Sequence, residues 1–162
     1  MNNDKHPPLT MSKPGQCPSE LTTAMPAITF DAMPLGPLPK GAKREVEGHT
    51  VQAHTSGIAF TDAPETYPNM MENTVITATG ASECMVEITF RDSVVTVAVG
   101  VYQAESGQGV LTFLDEHGQT LGHYETIDGL TQYMYSSDGK TKTLRWTSRG
   151  GASLDDVYLL GV

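Results

Sequence analysis

Apolar and polar residues alternate with a period of two through much of this chain. In Met85–Arg91, Val86, Ile88 and Phe90 fall on one face. In Val94–Tyr102 the valines 95, 97, 99 and 101 share a face, and Val94, Thr96, Ala98 and Gly100 make the opposite one. Small residues on that second face fit a strand covered on both sides. Thr74–Thr79 alternates in the same way, and Ala27–Asp31, His49–His54 and Gly57–Phe60 read as shorter strands rich in β-branched and aromatic residues. Two hairpins are predicted: Val110–Leu114 with Thr120–Glu125 around Asp115–Gln119, and Leu130–Tyr135 with Thr141–Thr147 around Ser136–Lys140. Gly150 and Gly151 lead into a closing strand, Ala152–Leu160. Strands at this spacing with no helical period predict an all-β fold. A two-sheet antiparallel sandwich over residues 27–162 is the way to bury such alternating faces.

Residues 1–26 break the pattern. Pro7, Pro8, Pro14, Pro18 and Pro26 sit there among polar residues. Proline fixes φ and removes a donor, so an extended N-terminal arm is expected, not part of a sheet. Met1–Thr10 is polar and lacks the apolar core of a secretory signal. No apolar run is long enough to span a bilayer.

The formal charge is −9, and residues 1–40 sum to zero because Lys5, Lys13 and Lys40 balance Asp4, Glu20 and Asp31. The body therefore carries the whole excess, which disfavours nucleic acid and anionic membranes and favours divalent cations. Cys17 lies in the arm and Cys84 opens a strand, so they either form one disulfide or stay as two thiols; spacing does not decide. Asp155 and Asp156 stand in the otherwise apolar closing strand. Either that strand is an edge or the carboxylates are paired or bind an ion.

Catalytic signals are thin. Asp115-Glu116-His117 occupies a hairpin tip, where neighbouring side chains rarely converge on one substrate atom. Ser153 and the histidines make no nucleophile–base pattern, and Ser148-Arg149-Gly150-Gly151 has no following helix to hold phosphate. The chain is not expected to be an enzyme.

The order of several pieces carries a resemblance. They are Ala27-Ile28-Thr29-Phe30-Asp31, then Val86-Glu87-Ile88-Thr89-Phe90, then Leu111 through Gly122, and finally Ala152-Ser153-Leu154-Asp155-Asp156-Val157. Over residues 27–162 the chain resembles jelly-roll β-sandwich modules of the galactose-binding-like and carbohydrate-binding-module type. The resemblance implies that first and last strands meet, with a structural calcium ion held by Asp31, Asp155 and Asp156. It also implies sugar binding on aromatic platforms. Tyr102, Tyr133 and Tyr135 are the ligand candidates, with Tyr124 and Trp146 as further aromatics. Trp146 shares parity with Leu144 and reads as core, whereas a Tyr133/Tyr135 pair fits a sugar platform or a cross-strand pair inside the sandwich.

Two functions are expected from this. The first is a non-catalytic module that binds carbohydrate or another surface. The second is a structural subunit, such as a virion decoration protein, that forms a homo-oligomer or larger assembly through residues 1–26. Either implies an extracellular or virion-surface location.

Overall fold

The computed structural model describes residues 26–62, 74–79 and 82–162. Within them the chain forms strands and no helix. These are β1 (Gly36–Leu38), β2 (Lys43–Val46), β3 (His49–Ala53), β4 (Ile58–Asp62), β5 (Thr74–Ala78), β6 (Cys84–Gln103), β7 (Gln108–Leu114), β8 (Thr120–Glu125), β9 (Gly129–Arg149) and β10 (Ala152–Leu160). The arm expected at residues 1–26, and with it Cys17, lies outside the described residues except for Pro26. Cys84 is a buried free thiol.

Two long strands make both layers. β6 and β9 pair antiparallel along nearly their whole length, with register shifts between Thr89 and Thr96. On one side of the shifts, β3 pairs with Val86–Thr89 of β6 and β7 pairs with Thr143–Arg149 of β9. This gives sheet I, in the order β2–β3–β6–β9–β7–β8. On the other side, β10 pairs with Thr96–Gln103 of β6, giving sheet II, in the order β1–β4–β5–β10–β6–β9. The result is the expected antiparallel β-sandwich.

Alternation supplies the core between the sheets. Val86, Ile88, Leu144 and Trp146 of sheet I share one buried cluster with Val99, Val101, Tyr133 and Leu154 of sheet II. Phe113 of sheet I stacks on Tyr135 of sheet II with ring centroids 4.4 Å apart, which closes the two layers face to face. Residues 97–101 of β6 are all buried. Ala98 packs with Met134, Tyr158 and Leu160 on the outer side, so this strand is covered on both faces as its small residues suggested.

The first described segment meets the last strand, though less extensively than a full opening strand would allow. Ile28 forms a single bridge to Val157 of β10. Glu47 sits in the β2–β3 turn at φ 52°, followed by Gly48 at 87°, the left-handed pair that tight hairpins favour. Its Oε1 accepts hydrogen bonds from the Thr29 and Phe30 amides at 2.7 and 3.0 Å. The opening segment is thus tied to both sheets.

Two expectations need correction. Leu130–Tyr135 and Thr141–Thr147 are not a hairpin: they belong to the single strand β9, which bends from sheet II into sheet I. Between Asp31 and His49, where no strand was expected, the chain forms β1, which pairs with β4, and β2, which pairs with β3. The Asp115–Gln119 hairpin is as expected. The Asp115 carboxylate accepts the His117 and Gln119 amides at 2.9 Å each, and Gly118 adopts φ 79°. That commits Asp115 to the turn.

Candidate functional site

Outward positions of sheet I come from the polar half of each alternating strand. The register aligns six of them in one row: Lys43↔Gln52, Gln52↔Glu87, Glu87↔Arg145, Arg145↔Thr112 and Thr112↔His123. With neighbouring strands about 4.8 Å apart, the row crosses about 24 Å of surface. A parallel row beside it is Glu45, Thr50, Thr89, Thr143, Leu114 and Thr120.

Glu87 is the hub of the first row. Its Oε2 accepts from Arg145 Nε at 2.8 Å, and Arg145 Nη2 lies 2.8 Å from the same oxygen. Its Oε1 is 2.8 Å from His54 Nε2. Burial alone would raise the Glu87 carboxyl, but the hydrogen bonds and charges of Arg145 and His54 outweigh it and hold the group below its ordinary value. The carboxylate and guanidinium are therefore fixed in place while still reachable, with side chains 18% and 37% exposed.

The expected site residues fall elsewhere. Tyr133 and Tyr135 are 0% and 1% exposed. Tyr135 stacks on Phe113, and the Tyr133 hydroxyl accepts the Ile127 amide at 2.9 Å. Burial pushes both phenols above their ordinary pKa. These rings occupy the interior of the sandwich, the second of the two placements open to them. Trp146 is core, as expected, and Tyr124 is buried with its hydroxyl donating to the Met134 carbonyl at 3.1 Å.

Tyr102 is half-buried on the outer face of sheet II, where it borders a cleft of about 320 Å³. Asp155 is fully buried, Asp31 is exposed and Asp156 is half-buried at φ 51° in the bulge between Asp155 and Tyr158. Among the described residues no group of three or more His, Cys, Asp or Glu side chains is placed to hold a metal ion. Asp31, Asp155 and Asp156 are thus not gathered into one group of three carboxylates.

No protein-family model matches the chain, and no curated protein matches it. Solved structures do. The carbohydrate-binding module TmCBM61, in complex with β-1,4-galactotriose, superposes with a TM-score of 0.51 at 12% identity, over 70% of this chain and 88% of that one. The likeness is one of fold. A family 29 carbohydrate-binding module gives a TM-score of 0.46 at 11% identity, covering 79% of this chain and 93% of that one. The lectin-binding domain of lectinolysin, complexed with Lewis b, gives 0.45 at 12%, covering 80% and 99%. No helix among the described residues is long and apolar enough to cross a membrane.

The polar row was missed in the sequence because no two of its members are neighbours there. Alternation marks Glu87 as outward between Val86 and Ile88, and Arg145 as outward between Leu144 and Trp146. Only the register brings them together.

Proposed function

We propose that this chain is a non-catalytic recognition module that binds an extended carbohydrate along the outer face of sheet I. The observation that carries this is the unbroken polar row Lys43–Gln52–Glu87–Arg145–Thr112–His123. Sugar hydroxyls both donate and accept, and the row offers both: a donor at Lys43, an amide at Gln52, an acceptor at Glu87, a forked donor at Arg145, and groups of either kind at Thr112 and His123. Because Glu87 and Arg145 hold each other, little side-chain freedom is lost when a ligand binds. A module of the same fold is seen with galactotriose, which supports an oligosaccharide as the ligand class.

The test is an array of neutral and acidic oligosaccharides, followed by calorimetric titration of the best binder. Gln52→Ala and Arg145→Lys should each weaken binding about ten- to hundredfold, the effect of losing a hydrogen bond to a charged or well-placed group. Arg145→Lys keeps the charge and loses the fork, so it separates geometry from net charge. Glu116→Gln at the hairpin tip should change nothing. An array blank across both glycan classes, or affinity indifferent to Gln52 and Arg145, overturns the reading.

A further inference from the structure

The second feature lies on the opposite sheet and does not depend on the polar row. Pairing Thr77↔Ser153 and Ser153↔Tyr102 puts these three side by side on the outer face of sheet II. Their hydroxyls form a short ladder: Thr61 Oγ1 is 2.7 Å from Thr77 Oγ1, which is 3.3 Å from Ser153 Oγ. Together with Asp62 and Gly151 they line the cleft of about 320 Å³ beside Tyr102. Asp62 is exposed at its rim.

Charge is what distinguishes this cleft. Within sheet II, which takes only Thr96–Gln103 of β6 and Gly129–Ser136 of β9, the strands contain no Lys, Arg or His, and their only ionisable side chains besides tyrosines are Asp62, Asp155 and Asp156. A carboxylate- or sulfate-bearing ligand would meet no countercharge there. A neutral sugar would use the ring and the hydroxyls and donate a hydroxyl to Asp62, but leave its charge unmatched. A sugar carrying an ammonium group would use all three, because an aromatic face and a carboxylate both attract a cation.

We propose that this cleft is a second binding site, and that its ligand is an amino sugar with a free ammonium group. The hydroxyl ladder takes the sugar's hydroxyls, Tyr102 packs against its ring, and Asp62 pairs with the ammonium.

Titration of the protein with the glucosamine disaccharide and with its N-acetylated counterpart, followed by amide chemical shifts, tests this. The amine form should bind about tenfold more tightly, the combined effect expected of an exposed ion pair and a cation–π contact. Shifts should centre on Tyr102, Ser153 and Thr77. Asp62→Asn is an exposed, conservative change that keeps the fold. It should bring the amine form down to the acetylated level and leave the acetylated form unchanged. Tyr102→Ala should weaken both forms. Glu116→Gln reports any general attraction of a cation to an acidic protein and should leave the preference intact. Arg145→Lys should leave it intact as well, so failure of this site and failure of the polar row are told apart. Equal binding of the two forms, a preference that survives Asp62→Asn, or one that Glu116→Gln also removes would each overturn the proposal.

Discussion

Glu87 and His49 face acid in different ways, and each should leave its own mark on stability. Arg145 and His54 depress the Glu87 carboxyl below the ordinary 4.5. Its stabilising contribution is therefore complete above that value and is lost as pH falls through the lower, folded one. His49 is buried, its Nδ1 accepts the Arg91 amide at 3.0 Å, and burial followed by the Arg91 charge lowers its pKa below 6.5. In the unfolded chain this histidine takes up a proton near 6.5 while the folded one resists, so stability falls as pH drops from that point. Urea unfolding across pH should show both windows. His49→Gln should flatten the slope just below pH 6.5. Glu87→Gln should flatten it only below 4.5, at a cost of about 1–2 kcal/mol near neutrality for the lost hydrogen bonds. A His49→Gln slope parallel to wild type just below pH 6.5 would remove the first assignment.

Among the strands, β9 decides the architecture, and it is where alternation misled. Its inward residues are odd-numbered in sheet II, at Tyr133 and Tyr135, and even-numbered in sheet I, at Leu144 and Trp146. β6 makes the reverse change, from Val86 and Ile88 to Val99 and Val101. A change of parity is what a bulged bend produces. Ser136–Lys140 has the composition of a turn, with Lys140 at φ 54°, so composition alone suggested a reversal where the strand only bends. The strands themselves were legible from alternation because each has one face in the core. β2 and β1 were not, since only Val46 and Leu38 are buried in them. The bend places Tyr135 against β8, where a Cβ on Gly122 would meet the Tyr135 ring at 2.7 Å. That ring is stacked on Phe113 and has no room to retreat. Gly122→Ala should therefore destabilise by about 1–3 kcal/mol through overpacking, read as a lower thermal midpoint. An unchanged midpoint would show that the β8–β9 contact is loose.

At the scale of the whole molecule, charge is sorted between the layers. Every Lys, Arg and His in the described strands lies off sheet II, and the sheet I row sets cations beside carboxylates. The sequence showed an acidic body but not this division, because the charged residues are spread through the chain and only the fold of β6 and β9 separates them. The Tyr102 cleft was legible as an aromatic candidate; that the described sheet II strands around it carry carboxylates and no Lys, Arg or His was not. The sorting has a measurable consequence. Salt screens exposed charges over a Debye length that shrinks from about 30 Å at 0.01 M to about 8 Å at 0.15 M. At the polar row a neutral oligosaccharide is held by hydrogen bonds to groups already paired, so its affinity should change less than about twofold over that range. At the cleft an ammonium ligand pairs with the exposed Asp62 carboxylate, and its affinity should fall several-fold. Titrating the same sample with both ligands at the two salt concentrations compares the faces under identical conditions. Equal salt dependence on the two sheets would mean that the overall charge of −9, not its arrangement on the sandwich, governs what each face attracts.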